Sequence, residues 1–424
     1  MIARISPSVL NGSCMAPPSK SVMQRVCALA LLNEGITRIH SPGNSDDDKV
    51  AIGIISQFGA TVDADNGSLI ITSNGFPGPK GDLDCGESGL SLRMFAALAA
   101  LCNESITLKG RGSLCKRPQH FIDEVFPKLG VEVKSAGGFL PFGIKGPLVP
   151  ASLVFDASQS SQYLTGLLFA IARVTQQPIT LTVNNLQSKP YIALSLSWMK
   201  RFGYMVTTKD FNQFIIEPIP SPKRNMEVTI DGDWSGAAFL LVAAAITGEV
   251  TVNGLLDDSL QADRAIINVL KDAGAEVIQT QNTVNVFCNS KLKAFEFDAH
   301  DCPDLFPPLV ALALSCEGIS TIKAVSRLVD KESNRAVSLQ QVFQQLGVTI
   351  RIEEDSMFIS GPVKVMEGSV SSHGDHRVAM AVAVAALNGL GTVEISGAEA
   401  VNKSFPDFFS TLSSLGASLS LYAE

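Results

Sequence analysis

A repeat of about 71 residues dominates this sequence, and it restricts the available folds more than any local propensity does. The segments FGATV, LGVEV, FGYMV, AGAEV, LGVTI and LGASL carry their Gly at 59, 130, 203, 274, 347 and 416, spaced by 71, 73, 71, 73 and 69 residues. Each Gly follows an amphipathic stretch (DKVAIGIISQ, FIDEVFPK, YIALSLSWMKR, RAIINVLKDA, RAVSLQQVFQQ, FFSTLSS) and precedes a strand-like piece. It therefore reads as the C-terminal stop of a helix. A second helix recurs as VCALALL, LRMFAALAALC, YLTGLLFAIA, AAFLLVAAAI, LFPPLVALALS and VAMAVAVAAL. These stretches are apolar nearly all round, so each must be buried beneath a sheet, with the amphipathic helix as its outer neighbour.

Six such units are too many for one core, and they divide naturally as three plus three. The expected fold is mixed α/β (α+β), in two similar lobes. The seam is placed near Val228–Gly232, where the fourth unit is expected to begin. The sixth unit stops just after Leu419 and lacks a closing strand that the opening MIARISPS could supply. One lobe then comprises residues 1–18 plus 232–424, the other residues 19–231, and the double crossing makes a hinge. An open solenoid is disfavoured, because its repeats are usually shorter.

With 46% hydrophobic and 17% charged residues, the chain is globular. Its net charge of -8 and lack of a Lys/Arg-rich stretch argue against nucleic acid as a partner. No apolar run approaches the roughly 18 residues of a membrane span. Eight Cys without one CxxC pair read as buried thiols in a reduced cytosol, so a cytoplasmic location is expected.

Polar residues gather where helices begin. The buried helices open at PSKSVMQR, CGESGLSLR, SQSSQY, GDWSGA, CPDLFPP and GDHR, the outer helices at NSDDDK, CKRP, SKPY, LQADR, DKESNR and NKSFPD. Helix N-termini attract anions through free N–H groups and the helix dipole. GDWSGA alone reads as an N-cap. Packed with like ends together, the two series form one face carrying eight cations, Lys20, Arg25, Arg93, Arg117, Lys331, Arg335, Arg377 and Lys403. Such a set in an acidic protein points to a ligand with several anionic groups, phosphates above all.

Asp304, Glu332 and Asp375 lie among these cations. Asp375 reads as an N-cap, whereas Asp304 and Glu332 suit proton transfer. Metal sets such as His373 with His376, or His300 with Asp301 and Cys302, lack further ligands, so no metal is expected; NSDDDK reads as a helix start. GxxxxGK[ST], GxGxxG, HExxH and GxSxG patterns are missing, which removes support for ATP, NAD and serine-hydrolase chemistry.

The blocks PSKSVMQR, KRP (116–118), SSQYLTGLL, SKPYI, PDLFPPL, DKESNR, GDHRVAMA and NKSFPDFF, in this order, resemble the 5-enolpyruvylshikimate-3-phosphate synthases. The resemblance runs from about Pro17 to Phe409. It implies two lobes of three βαβαββ units each, in an inverted barrel-like arrangement, with the active site in the interlobe cleft. The implied activity is transfer of the enolpyruvyl (1-carboxyvinyl) group from phosphoenolpyruvate to the 5-hydroxyl of shikimate 3-phosphate, with release of phosphate, in aromatic amino acid biosynthesis. It implies that Lys20, Ser21, Arg25, Ser160, Ser161, Gln162, Ser188, Tyr191, Asp304 and Lys331 hold shikimate 3-phosphate. Lys20, Gly89, Arg117, Gln162, Arg335, Arg377 and Lys403 would hold phosphoenolpyruvate, with Arg93 and His376 lining the same site. Asp304 would be the base for the hydroxyl and Glu332 the proton carrier at carbon 3, with Lys20 the competing candidate.

No cofactor is implied, and the protein is expected to work as a monomer on small molecules. Where the family often has Asn-Ala-Gly-Thr, this chain has Glu87-Ser88-Gly89-Leu90, and Glu87 is expected to turn outward or to pair with a neighbouring Arg. Met94 and Arg327 replace Pro and Asn of some relatives. Two alternatives are the sister transferase acting on UDP-N-acetylglucosamine and a non-catalytic anion-binding relative. The first commonly has a Cys several residues before an Arg-Pro pair, whereas Cys115 is two residues before Arg117.

Overall fold

A computed structural model describes residues 1–76, 78–79, 81–219 and 225–423. The backbone divides into a discontinuous unit, Met1–Ser19 with Asp231–Glu424, and a continuous unit, Lys20–Ile230. Each has its own apolar core.

Among the described residues, twelve α-helices alternate between the two kinds that the repeat predicts. In the continuous unit they are α1 (Lys20–Leu32), α2 (Asp46–Gln57), α3 (Gly89–Ala99), α4 (His120–Val125), α5 (Ser161–Val174) and α6 (Lys189–Arg201). In the discontinuous unit they are α7 (Trp234–Thr247), α8 (Ile266–Asp272), α9 (Phe306–Ala313), α10 (Arg335–Gln345), α11 (His376–Ala386) and α12 (Phe408–Ser414). The odd-numbered helices are the apolar ones; in α7 every residue from Trp234 to Ala245 is buried. Removing a Leu, Val or Phe side chain from water contributes about 1.5–3 kcal/mol, which selects this placement over a surface one. Within each unit the three apolar helices pack on one another and on their own sheets.

All six repeat glycines have positive φ, from 78° at Gly130 to 103° at Gly416. Only a residue without Cβ takes this turn at little cost, which is why the position repeats as Gly.

Each repeat is βαβαββ, and each builds a four-stranded sheet. In the second, Leu83–Asp84 runs parallel to Ile106–Lys109, which pairs antiparallel with Phe142–Lys145, itself antiparallel to Glu132–Lys134. Three strands come from distant sequence. Ile2–Ile5 lies between Val393–Ser396 and Leu419–Tyr422 in the sixth sheet. Asn11–Met15 pairs parallel with Glu249–Asn253 and opens the fourth sheet. Met226–Thr229 pairs parallel with Glu34–His40 and opens the first. The two units divide between Ile230 and Asp231, within the expected Val228–Gly232 seam, but the fourth repeat does not begin there: Met226–Thr229 completes the first repeat, and the N-terminal segment starts the fourth. Ile2–Ile5 is the strand that the sixth unit lacked, whereas the other two exchanges are invisible to a linear period, because ladder partners are chosen by edge geometry and not by adjacency.

The thiols also need one correction. Cys27, Cys85, Cys102, Cys302 and Cys316 are buried, but Cys14 and Cys288 are half-buried and Cys115 is exposed. Among the described residues no helix is long and apolar enough to cross a membrane.

Candidate active site

The helix starts of the continuous unit collect four of the eight cations. Lys20 is the first residue of α1, and its Nζ donates to Asp47 Oδ2 at 2.9 Å. Asp47 stands in the first turn of α2, beside the capping box formed by Ser45 and Asp48. Asp48 Oδ2 accepts from Ser45 Oγ at 2.6 Å, and burial pushes its carboxyl up to about 6 despite that bond. Arg25 is 1% exposed. Its guanidinium donates to Ser195 Oγ (2.9 Å), the Ser21 carbonyl (2.7 Å) and the Tyr191 carbonyl (3.4 Å), with no carboxylate partner among the described residues. Burial lowers it to about 10, partly opposed by Tyr191. A buried cation without a counter-ion is costly, and an anionic ligand offsets that cost.

At the start of α3, Ser88 caps the helix by accepting from the Ser91 amide. A methyl group added at Gly89 would lie 3.3 Å from Arg117 Nη1 and 3.5 Å from Arg93 Nη1, so both guanidinium groups flank this turn. Arg93 Nη1 donates to Gln162 Oε1 at 2.9 Å, and Arg117 Nη2 to Ser113 Oγ at 2.8 Å. Ser160 caps α5, its Oγ accepting from the Gln162 amide at 3.2 Å. Ser161 follows, buried, as the first residue of α5. Ser188 precedes α6 with φ of 51°, a left-handed conformation rare for a residue with a Cβ. Glu87, half-buried, lies with its carboxylate against Gly112, where any side chain would overlap it.

The discontinuous unit gathers the other four cations around carboxylates. Arg335, 1% exposed at the first position of α10, donates Nε to Asp375 (2.9 Å), Nη1 to Asp304 (2.9 Å) and Nη2 to Glu332 (2.6 Å). Burial works against its charge, but Asp375, Glu332 and Asp304 win and raise it. Asp304 sits in a short turn before α9. It also meets Arg377 Nη2 at 3.1 Å and Lys331 Nζ at 3.5 Å. Desolvation opposes its ionisation, but Arg377, Lys331 and Arg335 hold its carboxyl well below the usual range. Lys331 is lowered by burial, with Asp304 acting the other way. Lys403 Nζ lies 4.0 Å from Glu332, and His376 Nδ1 lies 3.9 Å from Asp375.

Glu332, Asp375 and His376 place ligand-type atoms within 4.8 Å of one another. Both carboxylates are already paired with Arg335, so this is an ion-pair network and not a cradle for a metal.

The sequence reading singled out each of these cations, together with Asp304 and Glu332. Asp375 does cap α11, accepting from the Arg377 amide, but it also anchors Arg335. Asp47, Ser195 and Gln119 were missed. Asp47 had one available signal, since it lies in NSDDDK, one of the six outer-helix starts, most of which carry a basic residue.

The model of the family described as EPSP synthase (3-phosphoshikimate 1-carboxyvinyltransferase) matches residues 5–412. The chain belongs to the EPSP synthase family. It is 34% identical over 416 residues to the 3-phosphoshikimate 1-carboxyvinyltransferase of Clostridium kluyveri, covering 98% of this chain and 97% of the relative. The protein of the same name from Methanocorpusculum labreanum is 32% identical, with 98% of each covered. Among solved structures, EPSP synthase from Acinetobacter baumannii superposes with a TM-score of 0.82 at 24% identity, covering 99% of this chain and 100% of that one. The enolpyruvyl transferase NikO from Streptomyces tendae gives 0.78 at 17%, covering 99% and 98%. Those structures share the fold class expected from the six repeats.

Proposed function

We propose that this protein transfers the 1-carboxyvinyl group of phosphoenolpyruvate to the 5-hydroxyl of shikimate 3-phosphate and releases inorganic phosphate. The observation that carries the reading is the α3 helix start, where Gly89 leaves room between two guanidinium groups for a phosphate or carboxylate. Arg25, buried without a counter-ion, supports a second anionic group in the same unit.

The two substrates bring about six negative charges. Arg25, Ser160, Ser161, Ser188 and Tyr191, with Ser21, take the phosphate, carboxylate and hydroxyls of shikimate 3-phosphate. Gly89, Arg93, Arg117 and Gln162 take phosphoenolpyruvate, with Lys20 serving both. In the discontinuous unit, Lys331 serves the shikimate and Arg335, His376, Arg377 and Lys403 serve phosphoenolpyruvate. Asp304, kept ionised by three cations, is the base that accepts the 5-hydroxyl proton as the oxygen attacks carbon 2. Carbon 3 gains a proton from Glu332, with Lys20 the competing donor, giving a tetrahedral ketal. Collapse of the ketal returns one hydrogen of the new methyl group to the group that protonated carbon 3 and expels phosphate, which takes the proton held by Asp304, leaving the enol ether. Holding the reacting atoms together lowers the barrier by on the order of 7–11 kcal/mol.

The reading extends to a cytoplasmic monomer acting on small molecules, which the eight free cysteines and acidic balance support. The decisive test supplies purified protein with phosphoenolpyruvate and either shikimate 3-phosphate or UDP-N-acetylglucosamine. Phosphate release is expected with the first acceptor alone. Release with the second alone reassigns the substrate, and release with neither removes the enzymatic reading.

A further inference from the structure

Gln119 is absent from every motif block and fully buried, yet its side-chain oxygen and nitrogen are both engaged around the α3 site. Its backbone N–H donates to the Gly138 carbonyl at 2.7 Å, and its backbone carbonyl accepts from Ile122 at 3.0 Å, so the main chain is fixed. The side-chain oxygen accepts from Arg93 Nε at 3.0 Å and from the Tyr163 hydroxyl. The side-chain amide donates to the Arg117 carbonyl at 3.2 Å. One side chain therefore ties α3, α5 and the segment carrying Arg117 together.

We infer that Gln119 is a positioning residue that sets the Arg93 guanidinium and the Arg117 segment in register at the start of α3, and so sets affinity for phosphoenolpyruvate. This rests on the functional reading above. Arg93 spends Nε–H on Gln119 and one Nη1–H on Gln162, and its guanidinium lies 5.5 Å from the Tyr163 ring centre. The Tyr163 hydroxyl also draws on this guanidinium, and its remaining N–H bonds are left for a ligand. The amide is the chemically apt choice. A carboxylate at 119 would reduce the positive charge that Arg93 offers to an anion. An apolar side chain would release Arg93 and leave the Arg117 carbonyl without its donor. The pattern also orients Gln162, whose oxygen is taken by Arg93 and whose amide N–H groups are left for the ligand.

The test compares wild type, Gln119→Glu, Gln119→Met, Arg93→Met and the double variant Arg93→Met/Gln119→Glu. The KM for phosphoenolpyruvate, from steady-state phosphate release in saturating shikimate 3-phosphate, is one readout, and calorimetric titration of the protein with each substrate alone is the other. Gln119→Glu keeps both acceptor bonds but loses the donor to the Arg117 carbonyl, so its melting temperature is expected to fall by a few degrees while phosphoenolpyruvate affinity falls about tenfold, corresponding to about 1.4 kcal/mol. Affinity for shikimate 3-phosphate changes less than about twofold. In the Arg93→Met background the same substitution has little further effect, because coupled residues are non-additive. Gln119→Met weakens phosphoenolpyruvate at least as much.

Unchanged affinity in Gln119→Glu, equal losses for both substrates, or a full multiplicative loss in the double variant would overturn the inference. If wild type binds phosphoenolpyruvate without releasing phosphate, the functional reading fails and the binding data still judge Gln119. No phosphoenolpyruvate binding by wild type overturns both.

Discussion

Replacing Arg335 by Met removes the one cation shared by Asp375, Asp304 and Glu332, and the structure fixes what this should cost. Arg335 is 1% exposed, and Asp375 and Glu332 are 0% and 12% exposed at their side chains, so water cannot screen the charges left behind. Breaking a buried pair by deleting one partner costs about 3–5 kcal/mol. In a unit of about 200 residues, each kcal/mol moves the melting temperature by about 2–4 °C, so Arg335→Met should melt about 6–20 °C below wild type. The sign of the pH dependence follows from Asp304, whose folded-state carboxyl is held below its unfolded value. Its contribution is present at neutral pH and lost only as pH falls through the lowered value. Without Arg335 the carboxyl shifts back up, so the gap between variant and wild type should narrow below about pH 4. Calorimetric melts from pH 2 to 8 read both effects, and Arg335→Met/Asp375→Asn should recover part of the loss. A melting temperature within about 2 °C of wild type at pH 7, or a gap that widens in acid, would refute the reasoning.

Arg25→Met should behave oppositely. It removes a buried cation with no acidic partner, so stability should hold or rise, while affinity for shikimate 3-phosphate falls by about 100-fold or more; melting and titration read the two. Gly89→Ala should raise the KM for phosphoenolpyruvate several-fold with little change in melting, since its methyl group presses on Arg117 and Arg93. Asp304→Asn should bind both substrates yet lose about 100-fold or more in kcat. Asp48 has a raised folded-state carboxyl, so its contribution to stability is present in acid and lost as pH rises from about 4 to about 6. That loss amounts to about 3 kcal/mol, and Asp48→Asn should abolish this limb of the melting profile.

Much of the fold was legible because backbone chemistry repeats. The six glycines mark positive-φ turns, and Ser88, Ser160, Asp233 and Asp375 cap apolar helices at the polar clusters that precede them. One exchanged strand was legible, since the sixth unit lacks a strand that Ile2–Ile5 supplies, but the other two were not, because nothing in a linear period marks that Asn11–Met15 and Met226–Thr229 pair with strands more than 180 residues away. In the site, cations stood out against an acidic composition, but the residues that orient them did not. Asp47 hides in an acidic run that also reads as a helix start. Gln119 is an uncharged residue whose importance lies wholly in its partners. Cys115 was misjudged because thiol burial is a tendency and not a rule.

Product analysis after one turnover tests the central claim most directly. Mass spectrometry of the protein mixed with equimolar shikimate 3-phosphate and phosphoenolpyruvate should show shikimate 3-phosphate carrying one added carboxyvinyl group, with one phosphate formed per product. Phosphate appearing without that adduct, or an unchanged acceptor beside intact phosphoenolpyruvate, would contradict it.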